Sequence, residues 1–286
     1  MGESIVPIVV MTPREGIVRC LGTGFFISSS GLLVTAAHVV SDPIDRGYGG
    51  VKRIDEGNWW IGSVGLGIMM PTNPIFQAQG HFFRPIEWAG FLATPAETPL
   101  PFMPERLKLT SDVAICKVAP RHDAVPDQPL SIVQPGVRGV GLQEGKNATV
   151  IGYAGMKDVF VRQDGEQFHL DDALRFELHV SMGRITQHLP DNGTNRQAQT
   201  PGPCFAASFK LPAGMSGSPI FDDERIYVHG VASVGLEEEA GPSDHAYGAM
   251  LAPSLGLPIA PLGGKSLLDL MKSDEAGIPK FTIPDA

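Results

Sequence analysis

The chain has 286 residues, of which 43% are hydrophobic and 19% charged, so it can bury a core and does not have the composition of a disordered protein. Its 34 glycines and 25 prolines favour many short strands joined by turns over long helices. The formal net charge of −9 argues against nucleic acid or an anionic membrane surface as the main partner.

Cysteine usage and the absence of targeting signals indicate the compartment. The three cysteines, Cys20, Cys116 and Cys204, are an odd number and contain no Cys-x-x-Cys pair, so they form neither a disulfide framework nor a zinc knuckle. The first residues lack the basic region of a signal peptide, and no run reaches the 18–20 or so apolar residues that span a bilayer. We therefore expect a cytoplasmic protein with reduced thiols and no membrane association.

Short apolar runs bounded by Gly, Pro, Asn or Asp recur along the chain and predict strands. They cover residues 24–28, 31–35, 113–118, 148–153, 174–180, 204–211 and 227–234. Residues 71–104 carry many prolines and little periodicity, which predicts a long excursion outside the core. One helix is predicted near residues 265–272. The pattern as a whole predicts an all-β sandwich or barrel.

A histidine ends the second strand of the first predicted hairpin. The small residues Ala36 and Ala37 precede His38 and leave room for its ring to project into a cleft. A single histidine in an apolar run is often only a core residue, so a structural and a catalytic role are both open.

An aspartate begins the apolar strand at residues 113–118. Asp112 is a common residue type at the start of a strand, where it forms turns. A buried carboxylate beside His38 would instead hold the imidazole in one tautomer and stabilise its cation.

The segment from Gly214 to Phe221 holds a serine in a glycine-flanked turn just before a predicted strand. A serine hydroxyl needs a base to accept its proton and donors for the resulting oxyanion. The glycines permit a strained turn in which the amides of Gly214 and Ser216 point to one spot. An ordinary Gly-Ser turn explains the same residues, so both interpretations are open.

Taken together, residues 35–38, 112–115 and 214–219 resemble the trypsin/chymotrypsin-like serine peptidases, and especially their disulfide-free bacterial members. Residues 150–153 and 230–235 resemble the strand that opens the second barrel of that family and the strand that walls its primary specificity pocket. Histidine, aspartate and serine follow one another in the order of the family. The resemblance extends over about residues 15–275.

The fold that this resemblance implies is all-β, with two antiparallel six-stranded β-barrels and a short C-terminal helix. The first barrel would occupy residues 1–130, with a long insertion around residues 45–105, and the second would occupy residues 131–286. The implied function is a serine endopeptidase that acts through an acyl-enzyme, in limited proteolysis of intracellular proteins. Its partner would be a protein or peptide substrate, and it would need no cofactor and no metal.

The resemblance also implies a role for each site residue. Ser216 would attack the scissile carbonyl, His38 would move the proton, and Asp112 would orient His38. The amides of Gly214 and Ser216 would form the oxyanion hole. Ser233 would support the Asp112 carboxylate.

Several positions depart from the common pattern of the family. Met215 replaces the acidic residue that pairs with a newly cut N-terminus, so activation by such a cut is not expected. Val39 stands where secreted relatives have a disulfide cysteine. Ser218 replaces the second glycine of the commonest motif, and the motif assigns the nucleophile to Ser216.

Substrate specificity is less well defined by the sequence. Lys210, six residues before Ser216, would be the base of the primary pocket and would favour acidic side chains, unless loop length shifts it to a solvated position. Ser233, Val234 and Gly235 would form the pocket wall. The acidic run at residues 237–239 would instead favour basic side chains in the substrate. Because the two influences oppose each other, we expect no strong preference for basic residues.

The stretch around residues 45–105 carries aromatic residues that include Trp59, Trp60 and Trp88. They either pack this stretch onto the barrel or form a recognition surface for a substrate or a regulatory partner protein.

Two rival functions are open. An α/β-hydrolase esterase would also present a Gly-x-Ser turn, but it needs glycine at position 218, parallel βαβ units and a base after the serine, where only His229 and His245 occur. A peptidase-like fold without activity would act as a binding module. A serine-reactive fluorophosphonate probe distinguishes these cases.

Overall fold

The computed structural model describes the following residues: 3–12, 16–45, 52–53, 59–61, 65–71, 81–91, 96–99, 106–121, 125–132, 142–164, 167–170, 177–190, 198–223, 227–238, 241–273 and 277–278. Within these ranges the chain forms 18 strands: β1 (Ile5–Thr12), β2 (Ile17–Phe26), β3 (Leu32–Thr35), β4 (Lys52–Arg53), β5 (Trp59–Ile61), β6 (Leu66–Pro71), β7 (His81–Phe91), β8 (Ala96–Pro99), β9 (Arg106–Leu109), β10 (Ala114–Val118), β11 (Asn147–Ala154), β12 (Val159–Asp164), β13 (Gln167–Leu170), β14 (Glu177–Leu189), β15 (Cys204–Ala207), β16 (Pro219–Phe221), β17 (Val228–Glu238) and β18 (Gly241–Met250). The helical segments of the same ranges are α1 (Ala37–Asp45), α2 (Ala252–Leu255), the 3-10 turn Ala260–Leu262 and α3 (Leu267–Ser273). None of the helices in the described ranges has the length and apolar character needed to cross a membrane.

Six strands close the first barrel. They follow one another in the order β1, β6, β7, β10, β3 and β2, and β2 pairs again with β1. All of these ladders are antiparallel. Inward-facing side chains such as Ile8, Phe25, Leu33 and Ile115 are fully buried. Their burial is the main force that holds this barrel together.

Six further strands close the second barrel, in the order β11, β14, β15, β18, β17 and β16. These ladders are antiparallel as well. Val150, Ile185, Phe205, Phe209 and Ile220 form part of its buried core. The predicted all-β fold with two closed six-stranded antiparallel barrels is confirmed.

The largest hydrophobic core joins the two barrels. Tyr153 and Phe221 of the second barrel belong to the same buried cluster as the interior of the first. Helix α3 adds Leu267, Leu270 and Met271 to this cluster, so the predicted short C-terminal helix is confirmed. The thiols of Cys20, Cys116 and Cys204 are all free, and the last two are buried.

A hairpin from the second half of the chain extends the sheet of the first barrel. Strand β12 pairs with β13 and also with β2, through Val159 opposite Val18 and Phe160 opposite Ile17. Val159 and Val18 are buried in a small separate cluster, and Arg19 Nε lies 3.0 Å from Asp158 Oδ2. Nothing in the sequence patterns predicted this connection between the barrels.

The stretch between residues 71 and 104, predicted as an excursion, contains a strand of the barrel. Strand β7 pairs with both β6 and β10 and buries Ile86, Ala89 and Phe91, so the prediction is wrong for residues 81–91. Strand β6, which lies inside the expected insertion at residues 45–105, also belongs to the first barrel, between β1 and β7. Proline usually indicates that a segment is not a central strand. Pro85 nevertheless lies in β7, because it is beside a register shift against β10, where a strand tolerates proline.

Two tryptophan-bearing strands of the expected insertion lie beside each other in the structure. Trp88 is partly buried and packs against the main core. Strand β5, which carries Trp59 and Trp60, pairs with β7. Residues 46–51, 54–58, 62–64, 72–80, 92–95 and 100–105 lie outside the described residues, and with them lie the proline-rich parts of the predicted recognition surface, whereas its aromatic residues belong to β5 and β7.

Candidate active site

His38 lies in the first turn of helix α1, and not at the end of a strand as the sequence pattern predicted. Strand β3 ends at Thr35, and the amide of Ala37 donates to the backbone carbonyl of Asp112 at 3.1 Å. The apolar run continues without a break from β3 into α1, so hydrophobicity alone did not mark the transition.

The Asp112 carboxylate holds His38 through three contacts. Imidazole Nδ1 lies 2.9 Å from Oδ2 and 3.1 Å from Oδ1, and the backbone N–H of His38 donates to Oδ1 at 3.0 Å. The hydroxyl of Ser233 also donates to Oδ2. The side chain of Asp112 is 3% exposed and that of His38 is 37% exposed. This arrangement fixes the proton on Nδ1 and leaves Nε2 as the basic nitrogen.

The environment of His38 raises its pKa above the ordinary value of 6.5. Burial is the largest single influence and acts to lower the pKa, because it disfavours the imidazolium. The hydrogen bond and the negative charge of Asp112, with a smaller contribution from Asp42, together outweigh it. Asp42 is exposed and lies one helical turn after His38 on α1, so both side chains share one face of the helix.

Ser216 sits in a turn that only glycine can make easily. Gly214 has φ +97° and Gly217 has φ +88°, both in the left-handed region. A Cβ on Gly217 would collide with the backbone of Thr23. The hydroxyl of Ser216 donates to the carbonyl of Ser233 at 3.1 Å. The turn therefore presents a half-buried serine beside strand β17.

Thr23 of the first barrel forms hydrogen bonds to this turn, which belongs to the second barrel. Its N–H donates to the Ser216 carbonyl at 2.8 Å, and its hydroxyl donates to the Gly214 carbonyl at 3.0 Å. The same hydroxyl accepts the N–H of Tyr153 at 2.9 Å. Thr23 is fully buried, so these bonds are shielded from water. One side chain of barrel one thus sets the position of the serine turn of barrel two.

The two amides predicted to form an oxyanion hole make no hydrogen bond to any of the residues that the structure describes. Gly155 N–H donates to the Ala213 carbonyl at 3.2 Å. In a trans peptide the N–H points opposite to the C=O, so the N–H of Gly214 points away from Gly155. Within the part of the chain that the structure describes, neither Gly214 N–H nor Ser216 N–H donates to a protein acceptor.

His38 and Ser216 line one cavity of about 250 Å³. The other lining residues among those that the structure describes come from two facing segments of the second barrel: Leu211, Pro212 and Ala213 on one side, and Ser233, Val234 and Gly235 on the other. The structure thus brings the predicted pocket-wall residues to the cavity. It does not bring Lys210 there: this residue is exposed, and its N–H donates to Ser181 Oγ at 3.1 Å.

The other histidines weighed from the sequence lie away from this cavity. Nε2 of His229 lies 3.3 Å from Asp222 Oδ2. Burial lowers the pKa of His229 despite that carboxylate. His245 is exposed on β18. In the described ranges, no group of three or more His, Cys, Asp or Glu side chains converges as metal ligands would.

Sequence reasoning missed Thr23, Asp42 and Leu211 as parts of the site. Thr23 lies between two glycines in a strand, and only its contacts with a turn almost 200 residues away reveal its position. Asp42 follows His38 by four residues, a spacing that puts two side chains on one face of a helix, but the sequence pattern predicted no helix there. Leu211 could have been found from its position next to Lys210, one residue closer to Ser216.

The sequence matches the family of trypsin-like peptidase domains over residues 22–231, well over half of its length. Among solved structures, the chain is similar to the Rv3671c protease of M. tuberculosis in its active form, with 20% identity, 93% of this chain and 83% of that chain covered, and a TM-score of 0.47. It is also similar to the MamO protease domain of Magnetospirillum magneticum, with 10% identity, coverage of 87% and 93%, and a TM-score of 0.48. No curated protein matches the sequence significantly. The family match, which includes His38, Asp112 and Ser216, shows that the chain belongs to the trypsin-like peptidase domain family.

Proposed function

We propose that this protein is a serine endopeptidase in which Ser216 is the nucleophile, His38 the general base and Asp112 the residue that orients the base. The observation that carries the proposal is the buried carboxylate of Asp112, bound to Nδ1 of His38 in a cavity that Ser216 also lines. A histidine held in one tautomer beside a serine is the arrangement that activates a hydroxyl for acyl transfer.

The first step is attack of Ser216 Oγ on the carbonyl carbon of the scissile bond. The hydroxyl first turns from the Ser233 carbonyl toward His38 Nε2, a side-chain rotation that occurs within nanoseconds. As the new C–O bond forms, the proton of the hydroxyl passes to Nε2. The resulting imidazolium is stabilised by the Asp112 carboxylate.

The oxyanion of the tetrahedral intermediate is then held by the amides of Gly214 and Ser216. Both amides lack a protein acceptor in the described structure, and preorganised donors of this kind stabilise charge without reorganisation. His38 returns its proton to the leaving amine as the C–N bond breaks, which leaves an acyl group on Ser216. Water, activated by the same imidazole, releases the acyl group and restores the enzyme.

The antiparallel ladders of both barrels disfavour the esterase alternative, because an α/β-hydrolase needs parallel strands joined by helices. The binding-module alternative shares the fold and differs only in activity. A fluorophosphonate probe therefore provides the decisive test, since it phosphonylates an activated serine and reports on the chemistry without any knowledge of the natural substrate.

We expect the wild-type protein to be labelled at neutral pH, and Ser216→Ala to abolish labelling. Ser218→Ala is the matched control: this serine lies two residues away, but it is fully buried and points away from solvent, so labelling is retained. A wild-type protein that folds but resists the probe would support the binding module. Labelling that survives Ser216→Ala would show that another residue is the nucleophile.

A further inference from the structure

Asp112 lies in a short segment that the ladders of the described strands leave unpaired. Strand β10 pairs with β3 and β7 from Ala114 onward. Strand β9, which precedes the segment, pairs with β8 in a separate two-stranded sheet. Residues 110–113 therefore have no ladder partner among the described strands, so the position of the Asp112 carboxylate depends on the contacts around this segment.

Ser111, the residue directly before Asp112, is bonded to a helix of the second barrel. Its hydroxyl oxygen lies 3.2 Å from that of Ser254 in α2, and either hydroxyl can be the donor. Ser111 is 3% exposed and Ser254 is 1% exposed, so water does not compete for this bond. Helix α2 follows β18, so the bond joins the two barrels.

The backbone of Ser254 is itself held in place. Its N–H donates to the Leu251 carbonyl at 3.0 Å, and its carbonyl accepts the N–H of Leu257 at 3.2 Å. Leu251 is buried in the main core, and its N–H donates to the carbonyl of His229 on β17 at 3.2 Å. The Ser254 hydroxyl is therefore a fixed partner for Ser111.

The segment that precedes β15 also contacts the chain just before Asp112. A Cβ added to Gly202 would collide with the Thr110 carbonyl oxygen and would lie 3.1 Å from Ser111 Cα. Gly202 has φ +75°, in the left-handed region that glycine adopts readily. Residues 110–111 are thus packed against one element of the second barrel and hydrogen-bonded to another.

We propose that Ser254 is a positioning residue, which acts through Ser111 to hold Asp112 where its carboxylate binds both the ring and the backbone N–H of His38. This inference rests on the proposed function and goes beyond it, because it assigns part of the catalytic geometry to a helix whose residues do not line the cavity. Ser233 contacts the carboxylate itself, whereas Ser254 acts one residue earlier in the chain.

The two barrels would then position each other's groups. Ser254 and Ser233 of the second barrel hold Asp112 of the first, and Thr23 of the first barrel bonds to the turn that carries Ser216. Neither barrel alone provides all the contacts that place these side chains.

The contacts between Asp112 and His38 are sensitive to small displacements. The N–H of His38 lies 3.0 Å from Oδ1, so a shift of about 0.6 Å would break this bond. The carboxylates that raise the pKa of His38 are Asp112, at the start of β10, and Asp42, on α1. A weaker contact with Asp112 therefore lowers the pKa of His38, because the imidazolium loses stabilisation.

The test measures two quantities on the full chain as a function of pH: the NMR titration of the His38 ring, assigned with His38→Ala, and the rate constant for labelling by the fluorophosphonate probe. Ser254→Ala should lower the pKa of His38 and move the decline of labelling at low pH to lower pH. On the plateau above this decline, it should slow labelling about three- to tenfold, the effect of one net hydrogen bond.

Ser111→Ala removes the same bond from the other side and should produce the same changes, which keeps the test decisive where Ser254→Ala fails to fold. Because both residues act through one bond, the double variant should be no slower than either single variant. A double variant whose loss equals the product of the two single losses would overturn the inference.

Ser28→Ala is the matched control for a loss of stability alone. Ser28 is fully buried, its hydroxyl accepts the N–H of Leu32 at 2.8 Å, and it lies at the opposite end of β3 from His38. This variant should lower the melting temperature and leave the pKa of His38 unchanged. If Ser254→Ala behaves like Ser28→Ala in both pH measurements, the role of Ser254 is structural only and the inference is wrong.

The NMR titration separates this inference from the proposed function, since it needs no activity. A wild-type protein that the probe does not label has failed the proposed function, and the pKa of His38 in the two serine variants still decides the role of Ser254. A wild-type protein that the probe labels, but whose His38 pKa is unchanged in both variants, has failed only the inference about Ser254.

Discussion

Replacing Asp127 by asparagine should destabilise the protein strongly, although the residue is not one of the proposed catalytic groups. Asp127 lies in the segment 125–132 and receives two bonds from Arg84 of strand β7, from Nη1 to Oδ1 at 2.6 Å and from Nη2 to Oδ2 at 2.9 Å. Arg84 Nε donates to the Ala119 carbonyl at 2.9 Å, and its guanidinium lies 5.4 Å from the centre of the Phe26 ring. The pair joins the connecting segment to the first barrel.

The magnitude follows from burial. The side chains of Arg84 and Asp127 are 3% and 4% exposed, so neither charge can be screened by water. Asp127→Asn would leave the guanidinium buried without its counter-charge, and breaking such a pair costs about 3–5 kcal/mol. For a chain of this size, about 1 kcal/mol corresponds to roughly 2–4 °C, so the melting temperature should fall by about 6–20 °C.

Urea denaturation and thermal melting, followed by circular dichroism, measure this loss. The matched control is Asp158→Asn, which breaks the pair with Arg19. The side chains of that pair are 47% and 36% exposed, so the change should cost no more than about 1 kcal/mol. Replacing both buried partners, as in Arg84→Met with Asp127→Leu, should recover much of the stability. An Asp127→Asn variant as stable as the Asp158→Asn control would refute the reasoning.

Three predictions concern the proposed catalytic groups. Asp112→Asn should lower kcat by about 10⁴-fold, since an amide favours the wrong tautomer of His38, and a loss below tenfold in steady-state assays would contradict this orienting role. The rate depends on neutral His38, whose pKa is raised, so kcat/KM should fall as the pH drops through a value above 6.5. Asp42→Asn should move this acidic decline of kcat/KM to lower pH, because it removes a negative charge that stabilises the imidazolium. An unchanged pH profile would exclude a contribution from Asp42. Thr23→Val should cost about 1–3 kcal/mol of stability for each partner left unpaired, and it should slow probe labelling of Ser216. Thr23→Ser should preserve the stability and the labelling rate. Equal labelling rates in the two variants would show that the hydroxyl does not position the turn.

The positions of His38, Asp112 and Ser216 could be inferred from sequence because each lies in a short motif whose residues are needed locally. The glycines around Ser216 exist because the turn requires positive φ, and this requirement is visible in one stretch of chain. The strand at residues 114–118 could be predicted for the same reason, since apart from Lys117 it consists of buried apolar residues, two of them β-branched. A structural requirement that lies within one short segment can therefore be predicted from the residues of that segment.

Features that depend on distant partners left no such signal. Arg84 looks like a surface residue in the sequence, and only the arrival of Asp127 in the folded chain makes its burial tolerable. The prolines and weak periodicity of residues 71–104 predict an excursion instead of strand β7, because the register shift beside Pro85 exists only in the pairing with β10. Lys210 was placed by counting residues, and the count could not show that the wall of the cavity begins at Leu211 instead.

The hairpin of β12 and β13 has a consequence for the biosynthesis of the chain. A ribosome completes all six strands of the first barrel before Val159 and Phe160 have been made, so the outer edge of β2 at Ile17 and Val18 is at first uncovered. An open edge of this kind is a template for pairing with other chains. The nascent first barrel therefore depends on about forty further residues to cover this edge of β2, and a fragment released before they are made should aggregate where the full chain does not.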